Sequence, residues 1–127
     1  MEEKRIYSIS PVIVDTDLGT RVEQPVGRQA AQHAHVVGAV WWRIGKNGGD
    51  CSLTTTILLQ CRDTAELRHV IALIQKEKIK MEVFYDRNEA AYGEKSSYIL
   101  TAMATHPVEP SKVVGILDYL HLLAEGK

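Results

Sequence analysis

Three residues stand where side-chain chemistry meets the end of an element. Asp86 closes the alternating run Met81–Tyr85 (MEVFY), which predicts a strand. A carboxylate at a strand tip can position or deprotonate a water. It can equally bond the amides of its own loop, as aspartate often does in turns. Arg28 follows Gly27 in the first turn of a helical stretch. A guanidinium there can pair bidentately with a phosphate, and the positive end of a helix favours the same anion. The alternative is a solvated surface charge. Arginine stays protonated, so it brings no proton transfer. His35 lies farther along the same helix, and its plainer reading is a packed, hydrogen-bonded ring beneath a site. His33 sits two positions earlier, so the two rings point to nearly opposite sides of a helix and cannot chelate one metal. Gln32 is placed to bond a neighbouring loop. Asp15-Thr-Asp17 offers two carboxylates with no third ligand in reach, which is weak ground for a cation site.

These residues need elements to hold them. Pro11–Val14 predicts a short strand, ended by the turn-forming Asp15–Gly19. A helix is expected from Arg28 to about Trp42, with Ala30, Ala31, Ala34 and Gly38 forming a narrow face for close packing. Trp41 and Trp42 end it and face different directions, so at least one is expected in the core or in a dimer contact, with stacking on a nucleic-acid base as the alternative. The glycine-rich Arg43–Asp50 is expected to be a loop, and the threonine- and branched-residue-rich Ser52–Gln60 a strand. Asp63 or Thr64 caps the next helix, where Leu67, Val70, Ile71 and Ile74 repeat at helical spacing. After Met81–Tyr85 come a polar loop, Asp86–Lys95, and a strand, Tyr98–Met103. Ser111 then caps a last helix through Leu123. The order β-α-β-α-β-β-α predicts an α/β fold, with a mixed, mostly parallel four-stranded sheet flanked by helices on both faces. The last two strands are expected to be antiparallel neighbours.

Composition narrows the function classes. The 127 residues suit one domain, 1–127. Lys plus Arg total 15 against 16 for Asp plus Glu, so at a formal charge of −1 no whole-molecule field pulls the chain toward nucleic acid. The longest apolar run, Val36–Trp42, is too short for a membrane span, and the opening Met-Glu-Glu-Lys-Arg is acidic where a signal peptide needs bases. Cys51 and Cys61 form no ligand or redox motif. A reduced protein of the cytoplasm is therefore expected, without a membrane partner.

Two blocks go beyond composition. Val12-Ile-Val-Asp-Thr-Asp-Leu18, followed by Gly27-Arg-Gln-Ala-Ala-Gln-His-Ala-His35, resembles the type 2 (archaeal-type) peptidyl-tRNA hydrolases. That family has a strand ending in a Thr/Asn-Asp-Leu turn, then a Gly-Lys-x-Ala-Ala-Gln-x-(Ser/Ala)-His helix start. Val83-Phe-Tyr-Asp86 resembles the strand ending in the family's functional aspartate, and Pro107-Val-Glu with Val113–Leu117 resembles its final helix. The resemblance implies a hydrolase that cleaves the ester between peptide and tRNA, with peptidyl-tRNA as partner and no metal or cofactor. It assigns catalysis to Asp86, Arg28 and His35, and substrate binding to Gln32. Arg28 stands where the family has lysine, and Ala90 where it has a threonine four residues after the aspartate. Tyr92, Ser96 and Ser97 are the candidate replacement hydroxyls, against ordinary turn polarity. The alternative function is a binding module of the same fold that has lost hydrolysis and holds a nucleic-acid end, a nucleotide or a protein. A homodimer is compatible with either.

Overall fold

The computed structural model describes residues 3–16, 19–87 and 98–123. Its centre is β1 (Arg5–Asp15), long enough to pair with three other strands. β2 (Arg21–Glu23) folds back on its end, α1 (Val26–Lys46) crosses one face of the sheet, and β3 (Thr55–Asp63) runs parallel to β1. After α2 (Thr64–Lys76), β4 (Met81–Asp86) and β5 (Ile99–Thr105) form an antiparallel pair. A 3₁₀ turn (Pro110–Lys112), α3 (Val114–Leu117) and β6 (His121–Leu122) finish the described chain. The sheet order is β4-β5-β1-β3-β6, with β2 beside β1.

Helices cover both faces, as expected for one α/β domain. Alternation along β1 makes the division, because neighbouring side chains leave a strand on opposite sides. Ile6 joins Val36 and Val40 of α1 with Ala102 and Ala104 of β5. Tyr7 and Ile9 join Leu67, Val70 and Ile74 of α2 with Leu59, Met103 and Leu117.

The sheet departs from the expectation in two ways. It has six strands rather than four, and β1–β3 is the one parallel ladder among the described pairs. β2 and β6, at three and two residues, are too short to show a period in the sequence. β6 also replaces the far end of the predicted last helix. The helix stops at Leu117, and His121–Leu122 closes the open edge of β3, where Leu123 N–H donates to Leu58 O at 2.9 Å. Pairing that edge satisfies backbone groups that a continued helix would leave bare.

α1 reverses its predicted orientation. Ala30, Ala31, Ala34 and Gly38 face solvent, and the buried stripe is Gln29, Gln32, His33, Val36 and Val40. Neither tryptophan enters the core: Trp41 is 44% and Trp42 61% exposed, with Lys46 Nζ 4.5 Å from the Trp42 ring. The helix also continues through Ile44 to Lys46, into the predicted loop.

Candidate functional site

A bulge in the sheet builds the site. In the β4–β5 ladder Phe84 pairs with Ala102 but Tyr85 with Leu100, so Thr101 is an extra residue on β5. Such a residue turns its side chain and carbonyl out of the normal register. The Thr101 hydroxyl donates to Gln32 Oε1 at 2.8 Å, while its carbonyl accepts from Ser10 Oγ at 2.8 Å. Both residues are buried, Thr101 completely.

The first of these bonds fixes the Gln32 amide. With Oε1 taken by Thr101, the amide nitrogen faces the end of β4 and donates to Asp86 Oδ2 at 3.0 Å. Asp86 is half-buried, and its Oδ1 accepts no hydrogen bond among the described residues. One carboxylate oxygen is therefore held by a neutral donor, and no described residue donates to the other.

Arg28 precedes Gln32 by four residues, one helical turn and about 6 Å along the axis. The two share a stripe of α1. Arg28 is half-buried and makes no ion pair among the described residues. Its backbone N–H, like that of Gln29, bonds to Pro25 O, the residue that caps the helix start.

His35 differs from its predicted state. Its ring is exposed and stacks on Phe84, with centroids 4.7 Å apart and planes 14° from parallel. It flanks the strand tip instead of lying beneath it. The packed histidine is His33, at 2% exposure. His33 Nδ1 lies 2.6 Å from Ser8 Oγ, and its Nε2 has no partner among the described residues. Burial lowers its pKa to about 4, so the ring is neutral near pH 7.

Further polar groups lie under the start of α1. Gln29 Nε2 donates to Gln24 O at 2.9 Å, and Gln24 Nε2 donates to Pro11 O at 2.8 Å. Sequence patterns pointed to Gln32 but missed Thr101, Ser8, Ser10 and Gln24. Ser8, Ser10 and Thr101 showed only as polar residues among apolar ones, and Gln24 showed no sign at all.

Tyr92, Ser96, Ser97 and Ala90 lie outside the described residues. Asp15 bonds Arg21 Nε at 2.8 Å, and no group of three metal-binding side chains occurs among the described residues. Cys51 and Cys61 are free and buried, and burial pushes the Cys61 thiol well above its ordinary value. A cavity of about 400 Å³ opens elsewhere, between Cys61, Glu66 and Tyr119, and includes none of the residues around Asp86.

Residues 10–123 match the family model described as Peptidyl-tRNA hydrolase PTH2. The chain belongs to that family. The match runs from the second half of β1 through β6 and takes in Gln32, Asp86 and Thr101. Membership agrees with the mixed sheet and with the Gly27–His35 block at the start of α1. No curated protein matches the chain. No helix among the described residues is long and apolar enough to cross a membrane.

Proposed function

We propose that this PTH2 member hydrolyses the ester joining a peptide to the terminal ribose of tRNA. The observation that supports it is the Asp86 carboxylate, anchored on one oxygen by Gln32, which lies one helical turn from Arg28 on α1. In this reading Asp86 Oδ1 orients a water and takes its proton as the oxygen attacks the ester carbonyl. The carbon–oxygen bond to the ribose breaks, and the proton passes to the departing ribose oxygen. Arg28 holds a phosphate of the tRNA, helped by the positive end of α1. His35, flat against Phe84, walls the site and offers a ring N–H to the substrate.

The test is release of labelled peptide from peptidyl-tRNA by the purified protein. Asp86→Ala should lower kcat by roughly 10²- to 10⁴-fold, the usual contribution of a positioned base. An unchanged rate in that variant would reject the assignment. A second reading, a module that binds without hydrolysing, draws on the net charge of −1 and on Ala90 in place of a hydroxyl. It expects salt-dependent tRNA binding with no turnover by the unmodified chain.

A further inference from the structure

The hairpin that carries Asp86 has a second face. β4 is the outermost strand, and side chains alternate across it, so Tyr85 points away from α1 while Asp86 points toward it. The register sets Tyr85 opposite Leu100. Tyr98 is then its diagonal neighbour on the same face, about 7–8 Å away between Cα atoms. Both rings are open to solvent, Tyr85 at 48% and Tyr98 at 65%, and no other ring stacks on them among the described residues.

The two tyrosines line a cavity of about 310 Å³ with Arg68, Asp15, Thr16 and Thr64. Arg68 lies in the second turn of α2, is exposed, and makes no ion pair among the described residues. The acid on the rim is neutralised: Asp15 Oδ1 lies 2.8 Å from Arg21 Nε. Among the described residues, the cavity therefore presents two solvent-exposed tyrosine rings with no stacking partner and one guanidinium with no ion pair.

We propose that this cavity binds the unpaired nucleotides of a single-stranded nucleic-acid end, with bases stacked on Tyr85 and Tyr98 and a phosphate held by Arg68. Aromatic platforms beside a cation are the usual means of holding unstacked bases, since every base has a face to stack. The volume lies at the lower end of small-ligand pockets, which suits a nucleotide and not a duplex. The position also fits. A strand lying over the edge of β4 meets Tyr85 on one side and Asp86 on the other, so the cavity would hold the nucleotides next to the ester. This substrate assignment rests on the proposed hydrolysis; binding of a single strand does not.

The test uses a labelled, unstructured RNA of about eight nucleotides and the full chain, followed by fluorescence anisotropy. Tyr98→Ala should raise Kd roughly 5- to 150-fold, the range for losing one stacked base, and Tyr98→Phe should restore binding. Arg68→Ala should weaken binding and reduce the salt slope by about 0.7, one phosphate of a single strand. The same RNA annealed to its complement should not compete. No binding by the unmodified chain, equal competition by the duplex, or an unchanged Kd in Tyr98→Ala and Arg68→Ala would overturn the proposal. Asp86→Ala separates the two readings, because it should abolish hydrolysis and leave RNA affinity intact. If no turnover is found but binding still needs Tyr98, the hydrolase reading falls and the cavity stands. If turnover and RNA binding are both indifferent to Tyr98 and Arg68, the cavity falls and hydrolysis stands.

Discussion

Asp86 is held in place by a relay that starts on another strand. The Thr101 hydroxyl orients Gln32, and Gln32 orients Asp86. Each link has its own expected effect. Gln32→Leu removes the donor to Oδ2 and lets the carboxylate rotate, so kcat should fall about tenfold while Asp86 itself remains. Thr101→Val keeps the shape but strands the buried Gln32 oxygen without a donor. It should cost about 1–3 kcal/mol of stability, read from a urea midpoint, with a smaller loss of kcat. If Gln32→Leu left peptide release unchanged, the relay would be structural only. Arg28 calls for a different readout. Arg28→Ala should raise KM with little change in kcat and reduce the salt dependence of tRNA binding by about one phosphate, and Arg28→Lys should recover part of the affinity as a point charge. A fall in kcat at constant KM would instead place Arg28 among the reacting atoms.

At the scale of the element, α2 and α1 show what a sequence can and cannot convey. The apolar repeat of Leu67, Val70, Ile71 and Ile74 predicts α2 correctly because that helix buries apolar groups on an apolar face. Its cap was legible too: Asp63 accepts from Glu66 N–H at 3.0 Å. That bond, ahead of the ion pairs with Arg62 and Arg21, holds the Asp63 carboxyl below its usual range. Asp63→Ala should cost about 1 kcal/mol in thermal or urea unfolding, and Asp63→Asn much less, since asparagine caps nearly as well. Equal losses in the two variants would mean that the charge, not the cap, matters. α1 obeys a different rule. Its buried stripe carries Gln29, Gln32 and His33, and Ser8 and Thr101 meet that stripe from the sheet. A search for apolar period assigns such a helix the wrong side, and the alanines that looked like the packing face are the solvent face. The Gln32–Asp86 bond spans 54 residues, and the bulge behind it appears only once two strands are paired. Asp86 and Arg28 could be singled out near element ends, and Gln32 from its place in the Gly27–His35 block. The Thr101–Gln32–Asp86 relay could not.

At the scale of the whole molecule, the protonation of the buried His33 should be visible in the stability. His33 sits at 2% exposure between α1 and β1, with Ser8 on one ring nitrogen and no described residue bonded to the other. Burial alone lowers its pKa to about 4, against an ordinary value of 6.5. The unfolded chain therefore takes up this proton first as the pH falls. The contribution of neutral His33 is fully present above pH 6.5 and is lost progressively as the pH drops toward 4. Over the interval from pH 7.5 to 5 the loss is on the order of 2 kcal/mol, a large part of the stability of a chain this size. Urea midpoints measured across that interval should show the decline, and His33→Leu should flatten it even if the substitution lowers stability at pH 7.5. The partner on Nδ1 tests the cause further. Ser8→Ala removes the one hydrogen bond the ring makes but leaves the burial that lowers its pKa, so the pH dependence should survive in that variant. A decline from pH 7.5 to 5 that persists undiminished in His33→Leu would rule out His33 as its source, and the Asp63 carboxylate could not take its place, because its stabilisation is lost only as the pH falls below the ordinary carboxylate range.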